Sequence, residues 1–332
     1  LFREYADIRQ TLEMESLSRD SAKAELAELD SLRPHFRIVS RKVSTLENVF
    51  SVFRMSAAAV VFVCGGLTVC LTSPVDWVLA PILKRLGVSS AYFPEGLVVN
   101  YLFWRPLLAA ALVDVKRDHS ALDWDETEGG LVVINHASNL DGFVIGPNIT
   151  PIMPKFLAKK ELFFYPILGW MAWLSSHVVV NRKNRTKAVG ALNDAVTRLL
   201  TGRKRSVFIS PEGTRTRDGQ LVLPFKKGAF HMQEQSQVPF FPTVVYGAYE
   251  LWPPGRLFIS PGEVVVKNLP TIPYKAGRSR DETRIMLQRF YLDLHYKSDQ
   301  TLVPKARPLS LMGILKSVTT LALAGGFYWH FF

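Results

Sequence analysis

Twenty-one consecutive residues, Met55 to Val75, carry no charged side chain, and Arg54 and Asp76 bracket them. That length matches the roughly 20 residues a helix needs to cross the hydrocarbon core of a bilayer. The run therefore predicts a membrane-associated helix. Gly65, Gly66 and Pro74 leave open a segment that enters one leaflet and returns, and a core helix of a soluble domain is a third reading. A second apolar run, Leu97 to Val113, is broken by Arg105 and Pro106. A hydrophobic content of 48% exceeds what a soluble enzyme needs and favours the membrane.

Two short apolar runs end in polar turns and carry the chemistry. Leu131 to Ile134 suits a buried strand, and Asn135 to Asn139 has the composition of a loop and helix cap. His136 then sits at a strand end. A helix beginning near Asn139 would return the Asp141 carboxylate to the imidazole, fixing its tautomer and stabilising the imidazolium. His136 is thus a candidate general base with Asp141 as its partner, while Ser138 is spaced as a cap. The second run, Val207 to Arg215, ends in Ser-Pro-Glu-Gly-Thr-Arg, which groups an acid, a hydroxyl and a guanidinium around Gly213.

Four blocks in one order extend this pattern. Asn135-His136-Ala-Ser-Asn-Leu-Asp141 comes first, then Lys160-Glu161-Leu162 with Pro166 and Gly169, running on to Val178 through Arg182. Phe208 to Arg215 follows, and Val238-Pro239-Phe240-Phe241-Pro242 closes the series. The chain resembles the glycerolipid acyltransferases, the family of lysophosphatidic acid acyltransferase, over about residues 130 to 245. The resemblance implies that His136 is the base and Asp141 its partner. It also implies that Glu212 and Arg215, within Glu212-Gly213-Thr214-Arg215, hold a glycerol phosphate acceptor; Arg182 and Lys160 are second candidates for the phosphate, since cationic side chains suit its oxygens. Three positions depart from the family pattern: Ser176 stands for a glycine, Asn181 for an aspartate, and Ser210 for an apolar residue before Pro211.

The net charge of +11 has a location. Residues 151 to 230 hold 15 Lys and Arg against four Asp and Glu, an excess equal to that of the whole chain. With no zinc-finger spacing, ribonucleoprotein motif or recognition-helix pattern beside it, the charge calls for no nucleic acid. Phosphates of an acyl thioester, a lysophospholipid and membrane lipids account for it. Cys64 and Cys70, both in the apolar run, need no disulfide and make no metal site. No metal or organic cofactor is expected. The acyl donor, acyl-CoA or acyl carrier protein, is a substrate.

The expected fold is α/β, a central mixed sheet flanked by helices like that of glycerol-3-phosphate acyltransferase, with N-terminal membrane-docking helices. Strands are expected near 131, 178, 207, 243 and 264, and helices over Thr186 to Leu200 and Asp281 to Tyr296. Four regions follow. Residues 1–40, with six basic and eight acidic side chains, form a charged helical extension, either solvated or an arm for a protein partner. Residues 41–115 are membrane-associated and 116–300 catalytic. Residues 301–332 include an apolar helix over 309–332 that spans the membrane, lies on it, or contacts a partner. Phe163, Phe164, Tyr165, Trp170 and Trp173 are candidates for an acyl path. The expected activity is acyl transfer from a thioester to a lysophospholipid hydroxyl, most simply lysophosphatidic acid. Lysophosphatidylcholine or monolysocardiolipin as acceptor, and a structural or regulatory subunit of a larger assembly, remain as alternatives. The host membrane stays open among bacterial inner membrane, endoplasmic reticulum and mitochondrion.

Overall fold

The computed structural model describes residues 45–88, 94–118, 129–146, 154–180, 196–202, 205–292 and 310–331, and the single positions 24 and 124. Apart from position 24, the charged extension over 1–40 lies outside them, as do Asn181, Arg182 and most of the helix expected over 186–200.

Helix α1, Thr45–Arg85, runs unbroken for 41 residues. Ser51, Ala58, Val61, Gly65, Val69, Ser73 and Asp76 are buried, a helical stripe of small or polar residues, while Phe53, Val60, Val63, Leu71 and Val78 face outward. Such a helix is apolar all round, so only side-chain size marks its inner face. At Gly65 a Cβ would lie 2.7 Å from the Leu102 carbonyl oxygen, which is why the following helical segment crosses there. Valine at Gly65 is expected to cost about 1–3 kcal/mol by overpacking. Valine at Gly325, where nothing lies within 4 Å, serves as the control in thermal unfolding.

The return left open at Gly65, Gly66 and Pro74 does not occur. Pro74 faces outward, and in the turns before it the hydroxyls of Thr68, Thr72 and Ser73 donate to the carbonyls of Cys64, Thr68 and Val69. The second apolar run is likewise continuous: α2 (Pro94–Val98) passes through a π-helical segment, Val99–Trp104, into α3 (Arg105–Ala110). Pro106 follows directly on the π-helical segment, the kind of local adjustment by which a continuous helix accommodates a proline.

The central layer is a seven-stranded sheet. Its strands are β1 (Val113–Asp118), β2 (Leu131–Ile134), β3 (Lys155–Lys159), β4 (Val178–Val180), β5 (Val207–Ile209), β6 (Phe240–Tyr246) and β7 (Gly262–Asn268), in the order β1-β7-β6-β2-β5-β3-β4. Every pairing is parallel except β6 with β7, so the sheet is mixed. Five strands stand where they were expected; β1 and β3 were hidden by their lysines and aspartates. Interleaved are α4 (Asp141–Ile145), α5 (Leu168–Leu174), α6 (Gly228–Ser236), α7 (Ala248–Leu251), α8 (Arg280–Leu292) and α9 (Leu311–Phe331).

Alternation along β2 feeds two cores. Leu131 and Val133 pack on one face with Phe230, Phe240 and Tyr291, and Val132 and Ile134 on the other with Val144, Phe241 and Val245. A third cluster joins α1 to α3 and α5 through Val61, Val69, Phe103, Leu107 and Met171. The register decides where the chemistry lies. Val133 of β2 pairs with Ile209 of β5, and His136 and Glu212 each stand three residues beyond that pair. Adjacent parallel strands thus deliver both motifs to one edge of the sheet.

Candidate active site

Asn135 ends β2 by continuing its ladder with a side chain. Its amide Nδ2 donates to the Val245 carbonyl at 2.9 Å, and its Oδ1 accepts the Val245 N–H at 2.8 Å. The backbone is free to turn at the next residue. His136 is there, half-buried, with Nδ1 at 2.8 Å from Asp141 Oδ2. The same Asp141 oxygen accepts the Ser138 N–H at 2.9 Å. Ser138 Oγ in turn accepts the Leu140 N–H and donates to the Trp252 carbonyl, at 2.9 and 2.7 Å. The expected cap thus fixes the turn ahead of α4. Burial raises the Asp141 carboxyl above its ordinary value, against the opposing pull of His136 and nearby backbone N–H groups. In the tautomer that donates Nδ1–H to this carboxylate, Nε2 presents its lone pair away from Asp141.

The second motif grips the first by its backbone. Glu212 Oε1 accepts the His136 N–H at 2.6 Å, and the Thr216 N–H donates to the His136 carbonyl at 3.0 Å. Both main-chain groups of the histidine are therefore held by the loop after β5. Glu212 Oε2 accepts the Val222 N–H at 2.7 Å, and the side chain is 1% exposed. Buried to that extent, with each oxygen on a backbone N–H, the carboxylate ties the loop after β5 to the loop after β2. Ser210, a departure from the family pattern, accepts the Glu212 N–H at 3.3 Å through its hydroxyl. Ser176, another departure, has φ of +56°, the left-handed region that glycine enters without strain.

Gly213, Thr214 and Arg215 form the exposed tip of the loop. Gly213 has φ of +70°, and a Cβ there would meet Lys226 Cγ at 3.0 Å. Arg215 projects from the same tip as Gly213 and Thr214. Lys160 is also exposed, at the end of β3, and Arg182 lies outside the described residues. The structure thus assembles His136, Asp141 and Glu212 into one hydrogen-bonded group and leaves Thr214, Arg215 and Lys160 on the surface.

Of the aromatic residues expected to line an acyl path, Phe163 is half-buried. Phe164, Tyr165, Trp170 and Trp173 are exposed, and Trp173 meets Trp77 of α1 edge-on with ring centroids 6.2 Å apart. A small cavity of about 30 Å³ lies instead among Val69, Phe103, Trp104, Phe156 and Met171. Two supports had no signal in the sequence. Tyr291, fully buried in α8, places its hydroxyl against the Val133 and Thr243 carbonyls at 2.8 and 3.0 Å. Trp252 lends its carbonyl to Ser138 and Asn139 across 114 and 113 residues of chain. Among the described residues no group of His, Cys, Asp and Glu is arranged to hold a metal ion.

Comparison with known proteins places this geometry. Residues 115–246, from β1 through β6, match the acyltransferase family model. The chain is 32% identical over 220 residues to a 1-acyl-sn-glycerol-3-phosphate acyltransferase of Limnanthes douglasii, covering 64% of this chain and 72% of that protein. A Saccharomyces cerevisiae protein of the same description is 33% identical over 186 residues, 53% of this chain and 61% of its own length. The crystal structure of the 1-acyl-sn-glycerophosphate acyltransferase PlsC from Thermotoga maritima shares the fold, with a TM-score of 0.50 and 23% identity over 72% of this chain and 95% of that one. With both motif loops inside the matched region, the chain belongs to the acyltransferase family that includes these 1-acylglycerol-3-phosphate acyltransferases.

Proposed function

We propose that the protein transfers a fatty acyl group from an acyl thioester, acyl-CoA or acyl carrier protein, to the free hydroxyl of lysophosphatidic acid, yielding phosphatidic acid. The observation that carries this reading is the His136–Asp141 pair held by Glu212 at the edge of the sheet, in a chain whose relatives are named for that acceptor. His136 Nε2 removes the hydroxyl proton as the oxygen attacks the thioester carbonyl, and Asp141 steadies the charge forming on the ring. The tetrahedral intermediate collapses, the thiolate leaves, and the proton on His136 passes to it. Ser138 is committed to Leu140 and Trp252, which supports direct transfer over an acyl-serine intermediate.

Arg215, at the exposed tip beside Thr214, serves as the phosphate ligand, a bidentate guanidinium contact. Lys160 and Arg182 are further cations for the acceptor or donor phosphates. Glu212 positions His136. A panel of lysophosphatidic acid, lysophosphatidylcholine and monolysocardiolipin, assayed by thiol release from acyl-CoA, tests the acceptor. The reading expects lysophosphatidic acid to give the highest kcat/KM; preference for a choline head group would overturn it.

The same reading docks the protein on one leaflet. The stretch Phe50–Arg85 of α1 is long and apolar enough to cross a bilayer, yet both charges that bracket its uncharged run turn back to the catalytic layer. Arg54 donates to the Ala111 and Ile259 carbonyls, and Asp76 pairs with Arg205 at 3.1 Å. A perpendicular span would carry one of these ends across the membrane; a helix lying along the body, outer face in lipid, satisfies both. Trp77, Trp170 and Trp173 then sit at the interface, where aromatic rings are favoured. Serine at both Trp170 and Trp173 is expected to weaken flotation with vesicles severalfold, and unchanged flotation would place the contact elsewhere.

A further inference from the structure

The turn that follows β3 leaves the sheet beside the His136 loop. β3 runs parallel to β5 and lies two strands from β2, roughly 10 Å at ordinary strand spacing. Lys160 stands four residues beyond the Phe156–Phe208 pair, as Glu212 does. The short 3₁₀ turn Lys160–Phe164 therefore emerges level with the loop that holds His136. Past Lys160 and Glu161, no charged side chain occurs from Leu162 to Ser176. Within that run Phe164 is 76% exposed and Tyr165 60%.

Contacts on both sides fix the turn in this pose. Ile167, which closes it, has φ of 64° and ψ of −59°, the centre of a tight γ-turn, with the Leu168 N–H donating to the Pro166 carbonyl at 2.7 Å. A β-branched residue holds that conformation only where its surroundings outweigh the strain. α1 supplies the contact: a Cβ on Gly66 would lie 2.5 Å from Ile167 Cγ2, so the isoleucine seats against bare backbone. α5 closes the other side, where a Cβ on Gly169 would lie 2.2 Å from the Phe163 carbonyl oxygen. Phe164 and Tyr165 are thus held outward, next to Trp170 of α5, and Trp173 carries the exposed aromatic surface on to Trp77 of α1. An uncharged turn joined to the outward face of an apolar helix suits a lipid surface, where aromatic rings are favoured, better than a protein interface with its polar rim.

We propose that this turn inserts Phe164 and Tyr165 into the leaflet and is where a membrane-borne lysolipid passes from the bilayer to His136. The inference rests on the leaflet-docked acyl-transfer reading and adds the point of entry. Insertion is read without turnover, by a nitrobenzoxadiazole label on F164C in a C64A/C70A background. Lys275, past the Ile272–Phe240 bridge at the other edge of the sheet, gives the control label, K275C. With vesicles of phosphatidylcholine and phosphatidylglycerol, the F164C label is expected to brighten and shift its emission to the blue, and the K275C label to do neither. An equal response from both labels, or none from F164C, would overturn the insertion and leave the surface to a protein partner. Entry is read with two acceptors beside the same vesicles, oleoyl lysophosphatidic acid embedded in them and hexanoyl lysophosphatidic acid dissolved in water. Per vesicle-bound protein, F164S/Y165S is expected to lose about tenfold on the embedded acceptor, for want of apolar burial, and to keep its rate on the dissolved one. F164L/Y165L restores the first rate. Equal losses on both acceptors, or a loss on neither, would overturn the entry role. If the wild type acylates neither acceptor, the reaction fails and entry with it, while the labels still decide insertion.

Discussion

Alanine at His136 is expected to lower acyl transfer by about 10²- to 10⁴-fold, the usual contribution of a positioned general base, while the melting temperature stays close to that of the wild type. The separation follows from how the residue is held. Its ring is half-buried and, among the described residues, bonds to Asp141, whereas its N–H and carbonyl are fixed by Glu212 and Thr216. Alanine keeps both backbone bonds, so the loops stay together; the base is lost, and the Asp141 carboxylate gives up its ring partner but keeps the Ser138 N–H. Acceptor-dependent thiol release alongside calorimetry checks both halves; a large fall in melting temperature with the fall in rate would assign the histidine a structural role instead.

Glutamine at Glu212 is expected to act in a different way. The carboxylate accepts one backbone N–H on each oxygen, from His136 and from Val222. An amide can accept only one of them and turns an NH₂ toward the other, leaving buried donors face to face. The cost is about 2–3 kcal/mol, or a fall of about 5–10 °C in melting temperature for a domain of this size. Because the displaced N–H belongs to His136, kcat should also fall about 10²-fold, as for a misplaced catalytic group, with little change in the KM for acceptor. A residue that held the acceptor directly would show the reverse: an unchanged melting temperature and a raised KM.

Glu212 also shows where the sequence stops being legible. Its place in Ser-Pro-Glu-Gly-Thr-Arg marks it as important, but a spacing cannot say whether an acid faces a ligand or a neighbouring loop. That depends on the β2–β5 register, which sets His136 and Glu212 at equal distances from the Val133–Ile209 pair. The His136–Asp141 contact was readable because five residues of turn and helix suffice to make it. The mixed sheet was readable from its apolar strands, while β1 and β3 were not, since Asp114, Lys116, Arg117, Lys155 and Lys159 disguise them. In α1 the glycines and proline that suggested a break serve close packing and an outward face, a distinction that only the crossing helices reveal. Tyr291 stands 158 residues from the Val133 carbonyl it supports, beyond the reach of any local pattern.

The most direct test of the proposed reaction is to follow a labelled acyl group. The protein in lipid vesicles is mixed with acyl-labelled acyl-CoA, with and without lysophosphatidic acid, and the lipid and protein fractions are separated after an acid quench. Direct transfer with His136 as base predicts label in phosphatidic acid only when acceptor is present, none on the protein, and neither in the His136→Ala variant. Label accumulating on the folded protein without acceptor, or phosphatidic acid formed equally well by the variant, would contradict it.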